Sequence, residues 1–230
     1  MNKKTDRAIP QILTLVLIVA IILFTISFSI GLPIYGREFY YMQIGPLEIE
    51  KATGRDRDTI IRGYDEVLDF LTRPGGEFSA GDFAFSESGA DHFKDCKFLF
   101  TLNASVYVIS ALVIAAVLLL LRFGKIKLCR PFGLAPVFWS GSITLGLFAV
   151  LGVLISMDFD TAFVIFHSVF FPGKSNWIFN PRNDEIILAM PESFFMNCAI
   201  LIGSSVILMS LAFVAVGLYI KIRARKCSLK

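Results

Sequence analysis

Histidine titrates close to neutrality, so it can take and return a proton within one reaction cycle. The sequence holds two, His92 and His167. Each stands beside a long apolar run: His92 about six residues before one, His167 about ten residues after another. If the elements bearing them converge, the chemistry open to the pair is proton transfer at a reacting oxygen or nitrogen. Two unrelated surface histidines would give the same count, so convergence is the point to test. On paper the pair and Asp91, Asp95 or Glu192 would make a zinc site, but no HxxxH or HxxE spacing supports one. No metal or other cofactor is expected. The sequence also lacks a GxSxG elbow, a phosphate-cradling glycine loop and a nucleotide fingerprint.

The elements that must position the histidines are read from hydropathy and charge. Of 230 residues, 55% are hydrophobic and 18% charged, whereas soluble domains are roughly a quarter charged. Four uncharged runs reach the length of about 20 residues that crosses a bilayer: Ile9–Leu32, Phe98–Leu121, Leu134–Met157 and Phe194–Ile220. The first has the basic start of a signal peptide, but it is too long for an h-region and no A-x-A-like site follows. It is expected to stay as an anchor. The amino-terminal tail, the connection at 122–133 and the tail at 221–230 together carry a net charge of +11, and the other two connections −8. Basic residues are retained in the cytoplasm, which places both termini inside and the histidine-bearing segments outside. These basic residues are topology determinants, and no nucleic-acid partner is needed to explain them.

The expected fold class is an all-α membrane protein with four spans and a small extracytoplasmic cap. In the first outer segment, 34–97, the partial alternation of Tyr40–Glu50, broken by Gly45 and Pro46, suggests a short strand or hairpin. Ile60, Ile61, Tyr64, Val67, Leu68 and Leu71 recur at helical spacing, with Asp58 placed to cap the start and Pro74-Gly75-Gly76 to end it. The second outer segment, 158–193, threads turn formers among aromatic rings and reads as a re-entrant-like loop forming a pocket wall at lipid depth. Cys129 and Cys227 lie in basic stretches where thiols stay reduced, while Cys96 and Cys198 fall near the opposite face and would pair only if their helices are neighbours.

At these two segments the chain resembles a known family. Phe166-His167, Phe170-Phe171, Trp177, Phe179, Pro181, Asp184, Pro191-Glu192 and Phe194-Phe195, together with His92-Phe93-Lys94-Asp95-Cys96-Lys97, Tyr64 and Leu71, resemble the bacterial lipoprotein intramolecular transacylase (Lit) family. Cys96 and Asn180 depart from the pattern, where a small β-branched residue and an acid are expected. The resemblance implies a four-span enzyme of the bacterial cytoplasmic membrane with its active face outside. Its substrate would be a lipoprotein whose amino-terminal cysteine carries a diacylglyceryl group, met among membrane lipids. The reaction would be an O-to-N acyl transfer from the sn-2 position to the cysteine α-amino nitrogen, giving a lyso-form lipoprotein. His92 is then expected as base and His167 as proton donor. Asp95 or Asp91 would hold the His92 tautomer, with Trp177 and Tyr64 as pocket-lining donors. The competing expectations are a membrane lipid-ester hydrolase using the same histidines, and a non-catalytic four-span subunit that binds a partner through its outer cap.

Overall fold

The computed structural model describes residues 3–228; Lys230, counted in the basic tail, lies outside them, as do the side chains of Lys3, Lys4, Asp6, Arg7 and Cys227. The described residues form nine α-helices and one 3-10 turn, Pro131–Gly133. In chain order the helices are α1 (Lys3–Tyr35), α2 (Glu38–Tyr41), α3 (Ile49–Thr53), α4 (Arg57–Thr72), α5 (Glu87–Arg122), α6 (Pro136–Met157), α7 (Phe159–Phe170), α8 (Ile186–Ala189) and α9 (Glu192–Ser228). Four of them, α1, α5, α6 and α9, are long and apolar enough to cross a membrane. They match the four apolar runs, but α5 starts at Glu87 rather than near Phe98, so His92 stands inside a helix and not ahead of one.

The chain divides into two compact units. The first comprises Met1–Ser29, Ser105–Val153 and Ile202–Lys230. Its large apolar side chains, among them Leu15, Ile109, Leu112, Val150 and Leu208, are exposed, as a hydrocarbon solvent permits. Hydroxyls are buried instead: Thr14, Thr25, Ser110, Ser140 and Thr144. Each needs an internal acceptor where water is absent. Thr25 donates to the Ile21 carbonyl at 2.7 Å, and Ser29 donates to Ser205 Oγ at 3.0 Å, joining α1 to α9. Thr14 accepts from the Cys129 N–H at 2.8 Å, tying the connection before α6 to α1. Helices approach most closely at glycines. A Cβ on Gly217 would meet the Phe138 backbone nitrogen at 3.0 Å, and one on Gly141 the Ser210 carbonyl oxygen at 2.6 Å. Gly217→Leu is therefore expected to force α6 and α9 apart and destabilise the fold by about 2 kcal/mol, an overpacking cost; a lowered midpoint of thermal unfolding in detergent checks it.

The second unit comprises Ile30–Ala104 and Leu154–Leu201. Its core is aromatic and aliphatic, with Tyr40, Ile44, Ile49, Ile60, Tyr64, Val67, Ile186 and Phe194 buried together. Helix α4 buries Ile60, Tyr64, Val67, Leu68 and Leu71 of the face expected from periodicity, and Gly63 and Phe70 besides, whereas Ile61 is only partly buried. The cap is Asp56, not Asp58: its carboxylate accepts from Thr59 N–H at 2.9 Å and Thr59 Oγ1 at 2.8 Å. A cap of this kind contributes about 1 kcal/mol. At the other end Arg73 turns extended, as a residue preceding proline must.

No strand forms among the described residues, so the hairpin expected over Tyr40–Glu50 is corrected to a helix–turn–helix. Its hydrogen bonds are local, Met42 N–H to Glu38 O at 3.0 Å and Leu47 N–H to Gln43 O at 3.0 Å. The buried apolar residues Tyr40, Ile44 and Ile49 fall four and five residues apart and not at alternate positions. The segment is held by ion pairs around it: Arg37 bridges Asp65 at 3.0 Å and Asp69, and Arg55 meets Glu185 at 2.8 Å. The aromatic stretch is likewise more ordered than a loop. Asp158 accepts from Thr161 N–H at 3.0 Å and so caps α7, which carries Phe163, Phe166 and His167.

Candidate active site

Both histidines belong to the second unit, His92 on α5 and His167 on α7. The start of α5 is built to hold its position. Ser86 caps it by accepting from Gly89 N–H at 3.0 Å, and Ser86 is held in turn by the buried Asp184 carboxylate, at 2.8 Å from its N–H and 2.7 Å from its hydroxyl. Gly89 is required there, since a Cβ would run into Asp184 Oδ1 and come within 3.0 Å of Phe179.

The two imidazoles meet. Their ring centroids are 5.8 Å apart, with His92 5% and His167 7% exposed. They are walled by aromatic rings: Phe171 at 4.8 Å and Phe179 at 5.5 Å from His92, Phe163 at 4.3 Å and Trp177 at 4.5 Å from His167. Trp177 lies nearly parallel to the His167 ring, at 25°.

The hydrogen bonds distinguish the rings. His167 Nδ1 is 2.7 Å from the Phe163 carbonyl oxygen. A carbonyl only accepts, so Nδ1 bears the hydrogen and the lone pair of the neutral ring is at Nε2. His92 Nε2 lies 3.4 Å from Cys96 Sγ, and its Nδ1 is buried without a partner among the described residues. Burial pushes the His167 pKa below its ordinary 6.5, partly opposed by the Phe163 carbonyl. A ring with a lowered pKa is neutral at pH 7 and gains its proton only when the pH falls through that lowered value. Activity that needs the Nε2 lone pair is therefore expected to keep its acid limb below pH 6.5. Trp177→Leu, which uncovers the ring, is expected to move that limb up toward 6.5 and to cost roughly two- to tenfold in rate, the worth of one aromatic contact; a pH–rate profile of both proteins checks it.

The supporting residues are placed differently from expectation. Asp95 does not hold the His92 imidazole: it accepts from Lys174 Nζ at 2.5 Å and Asn176 Nδ2 at 3.0 Å, strapping the chain after α7 onto α5. Asp91 pairs with Lys94 at 2.6 Å near the surface. Tyr64 stacks on Tyr40 at 3.7 Å within the core and forms no part of the imidazoles' wall. Trp177 is in the site, but its indole N–H donates to the Lys174 carbonyl at 3.1 Å, so its contribution is the ring face. Cys96 and Cys198 are free thiols. The contact of Cys96 with His92 follows from their separation of one helical turn, a signal visible only once α5 is known to start before His92.

A family model described as lipoprotein intramolecular transacylase Lit matches residues 15–195. The fold is similar to the crystallised membrane-integral lipoprotein intramolecular transacylase Lit of Bacillus cereus, with a TM-score of 0.84 and 25% identity over 98% of this chain and 100% of that one. A variant of that protein with a histidine replaced by alanine gives a TM-score of 0.79 at 24% identity, over 98% and 100% of the two chains. An uncharacterized protein of Aquifex aeolicus is 33% identical over 118 residues, which are 51% of this chain and 49% of that protein, so the chain spans about half the length of this curated relative. With four membrane-crossing helices and a match over most of its length, this multi-pass membrane protein belongs to the lipoprotein intramolecular transacylase Lit family.

Proposed function

We propose that this chain is an acyltransferase that moves the sn-2 acyl chain of a diacylglyceryl-cysteine lipoprotein from glycerol oxygen to the cysteine α-amino nitrogen. The observation that carries the reading is the pair of buried imidazoles 5.8 Å apart, drawn from two segments of the chain that the family match spans. Nucleophile and ester belong to one substrate, so positioning supplies much of the acceleration and no serine or cysteine nucleophile is needed.

The α-amino group, with a pKa of about 7.7–8, must shed one proton to solvent before it can attack. As nitrogen bonds to the ester carbonyl, His167 Nε2 takes a second N–H proton. The charge that builds on the carbonyl oxygen is met by a donor, and His92 Nδ1 suits that role: the Cys96 thiol donating to Nε2 leaves the hydrogen on Nδ1. The carbon–oxygen bond to glycerol then breaks, and the proton held by His167 passes to the glycerol oxygen. This division, His167 as base and His92 as donor, reverses the order expected from sequence and rests on the Phe163 carbonyl. The charge asymmetry supports both termini in the cytoplasm and the histidines at the outer face of the bacterial cytoplasmic membrane, where lipoprotein and membrane lipids share the leaflet.

The test is a synthetic lipopeptide with different acyl chains at sn-1 and sn-2, incubated with the purified protein and read by mass spectrometry. The sn-2 chain on nitrogen with the glycerol hydroxyl freed is expected. Free fatty acid with an unmodified amine would make the protein a hydrolase, and unchanged lipopeptide would remove the enzyme reading.

A further inference from the structure

Four buried side-chain polar atoms lack a partner among the described residues: His92 Nδ1, Trp139 Nε1, Asn176 Oδ1 and Ser210 Oγ. Trp139 and Ser210 belong to the first unit. The other two belong to the catalytic unit. His92 Nδ1 has a role in the reaction, but Asn176 Oδ1 has none so far. Its identity as the acceptor end of the amide is settled by its neighbour. Asn176 Nδ2 lies 3.0 Å from Asp95 Oδ2, and a carboxylate only accepts, so nitrogen faces Asp95 and oxygen is the end left over.

Asn176 is fixed between a neighbour of His92 on α5 and the ring that covers His167. Asp95, which holds its amide, is three residues along α5 from His92. Trp177, the next residue, covers the His167 ring at 4.5 Å. The Trp177 indole N–H is itself committed to the Lys174 carbonyl, so the chain cannot swing without breaking both bonds. A buried acceptor costs free energy unless a donor arrives. In the proposed reaction the one group rich in N–H donors is the attacking amine.

We propose that Asn176 is a substrate-binding residue whose Oδ1 accepts an N–H of the lipoprotein's α-amino group and turns its lone pair toward the sn-2 ester. This rests on the transacylase reading. An amine held by one N–H to Asn176 keeps another for His167 Nε2. Without that hold, water competes for the same ester: its oxygen bonds to the carbonyl carbon, the glycerol oxygen leaves with a proton, and free fatty acid is released.

The test compares wild type with Asn176→Leu in the full-length purified protein on the mixed-chain lipopeptide, counting N-acyl product and free fatty acid together. Asn176→Leu is expected to lower N-acylation roughly 2- to 10-fold, the fold-change of a hydrogen bond between neutral groups, and to raise the ratio of fatty acid to N-acyl product. Phe171→Leu, which loosens the wall beside His92 but leaves the bonds that hold Asn176 and Trp177 in place, is expected to lower the rate with that ratio unchanged. Should Asn176→Leu fail to accumulate, Asn176→Ser, smaller and still polar, is read in the same way. Wild-type rate, or loss with an unchanged product ratio, would overturn the assignment while leaving the transacylase intact. Absence of N-acyl product with the wild type would overturn the transacylase itself.

Discussion

His167→Ala is expected to lower N-acylation by about 10³- to 10⁴-fold, and His92→Ala by about 10²- to 10³-fold, with normal accumulation of both proteins in the membrane. The order follows from the tasks assigned. His167 must receive a proton and return it within one turnover, and its Nε2 is the lone pair that the Phe163 carbonyl leaves free. His92 only meets charge on an oxygen, which a water molecule replaces in part. Because both act on one transition state, the double variant should fall little below His167→Ala alone. His167→Gln offers a second check: it keeps polarity but has no basic nitrogen, and should be as inactive as alanine. If either histidine variant kept wild-type turnover, the pair would be structural and the outer segments a binding surface.

Asp184→Ala is expected to destabilise the second unit by about 3 kcal/mol, placing it far above ordinary surface substitutions. Its buried carboxylate is the acceptor for Ser86 N–H and Ser86 Oγ, and it also meets Asn180 N–H at 3.4 Å. Removing it takes the acceptor from two donors of the half-buried Ser86, at about 1–3 kcal/mol for each such group. The damage reaches the chemistry through the helix cap: Ser86 is freed, the first turn of α5 loosens, and His92 sits less than two turns farther along. Lost thermal stability together with lost activity is the expected signature. Asp184→Asn, which keeps one acceptor oxygen, should recover part of both. Asp91→Ala breaks a surface ion pair with Lys94 and should change neither by more than a few tenths of a kcal/mol.

The four spans were legible because uncharged runs of that length have few other uses, and α4 because one face of Arg57–Thr72 is apolar and the other charged. Helix α7 was not. Phe163, Val164, Ile165 and Phe166 are consecutive and put apolar side chains all round it, so the contrast that reveals an amphipathic helix is missing; the Asp158–Thr161 cap was the one signal. Tyr40–Glu50 misled in the opposite direction, since buried residues four and five apart mimic a broken alternation once glycine and proline stand between them. The histidine pair was named from residue type and the family resemblance, and only the fold brings the rings to 5.8 Å. Asp95 illustrates the limit of local reading. Three residues from His92, it looks like an orienting carboxylate, yet its partners Lys174 and Asn176 are 79 and 81 residues away. The same distance hid Asn176, whose meaning depends on which of its two amide atoms Asp95 occupies.

The central claim is that the acyl chain moves within one lipoprotein at the imidazole pair. Two lipopeptides of different peptide mass, one carrying a deuterated sn-2 chain, are mixed with the purified protein and the N-acylated products weighed. The account predicts that the deuterated chain appears only on the peptide that began with it, and that His167→Ala gives neither product. Deuterated chain on the second peptide, or N-acylation that survives loss of His167, would contradict it.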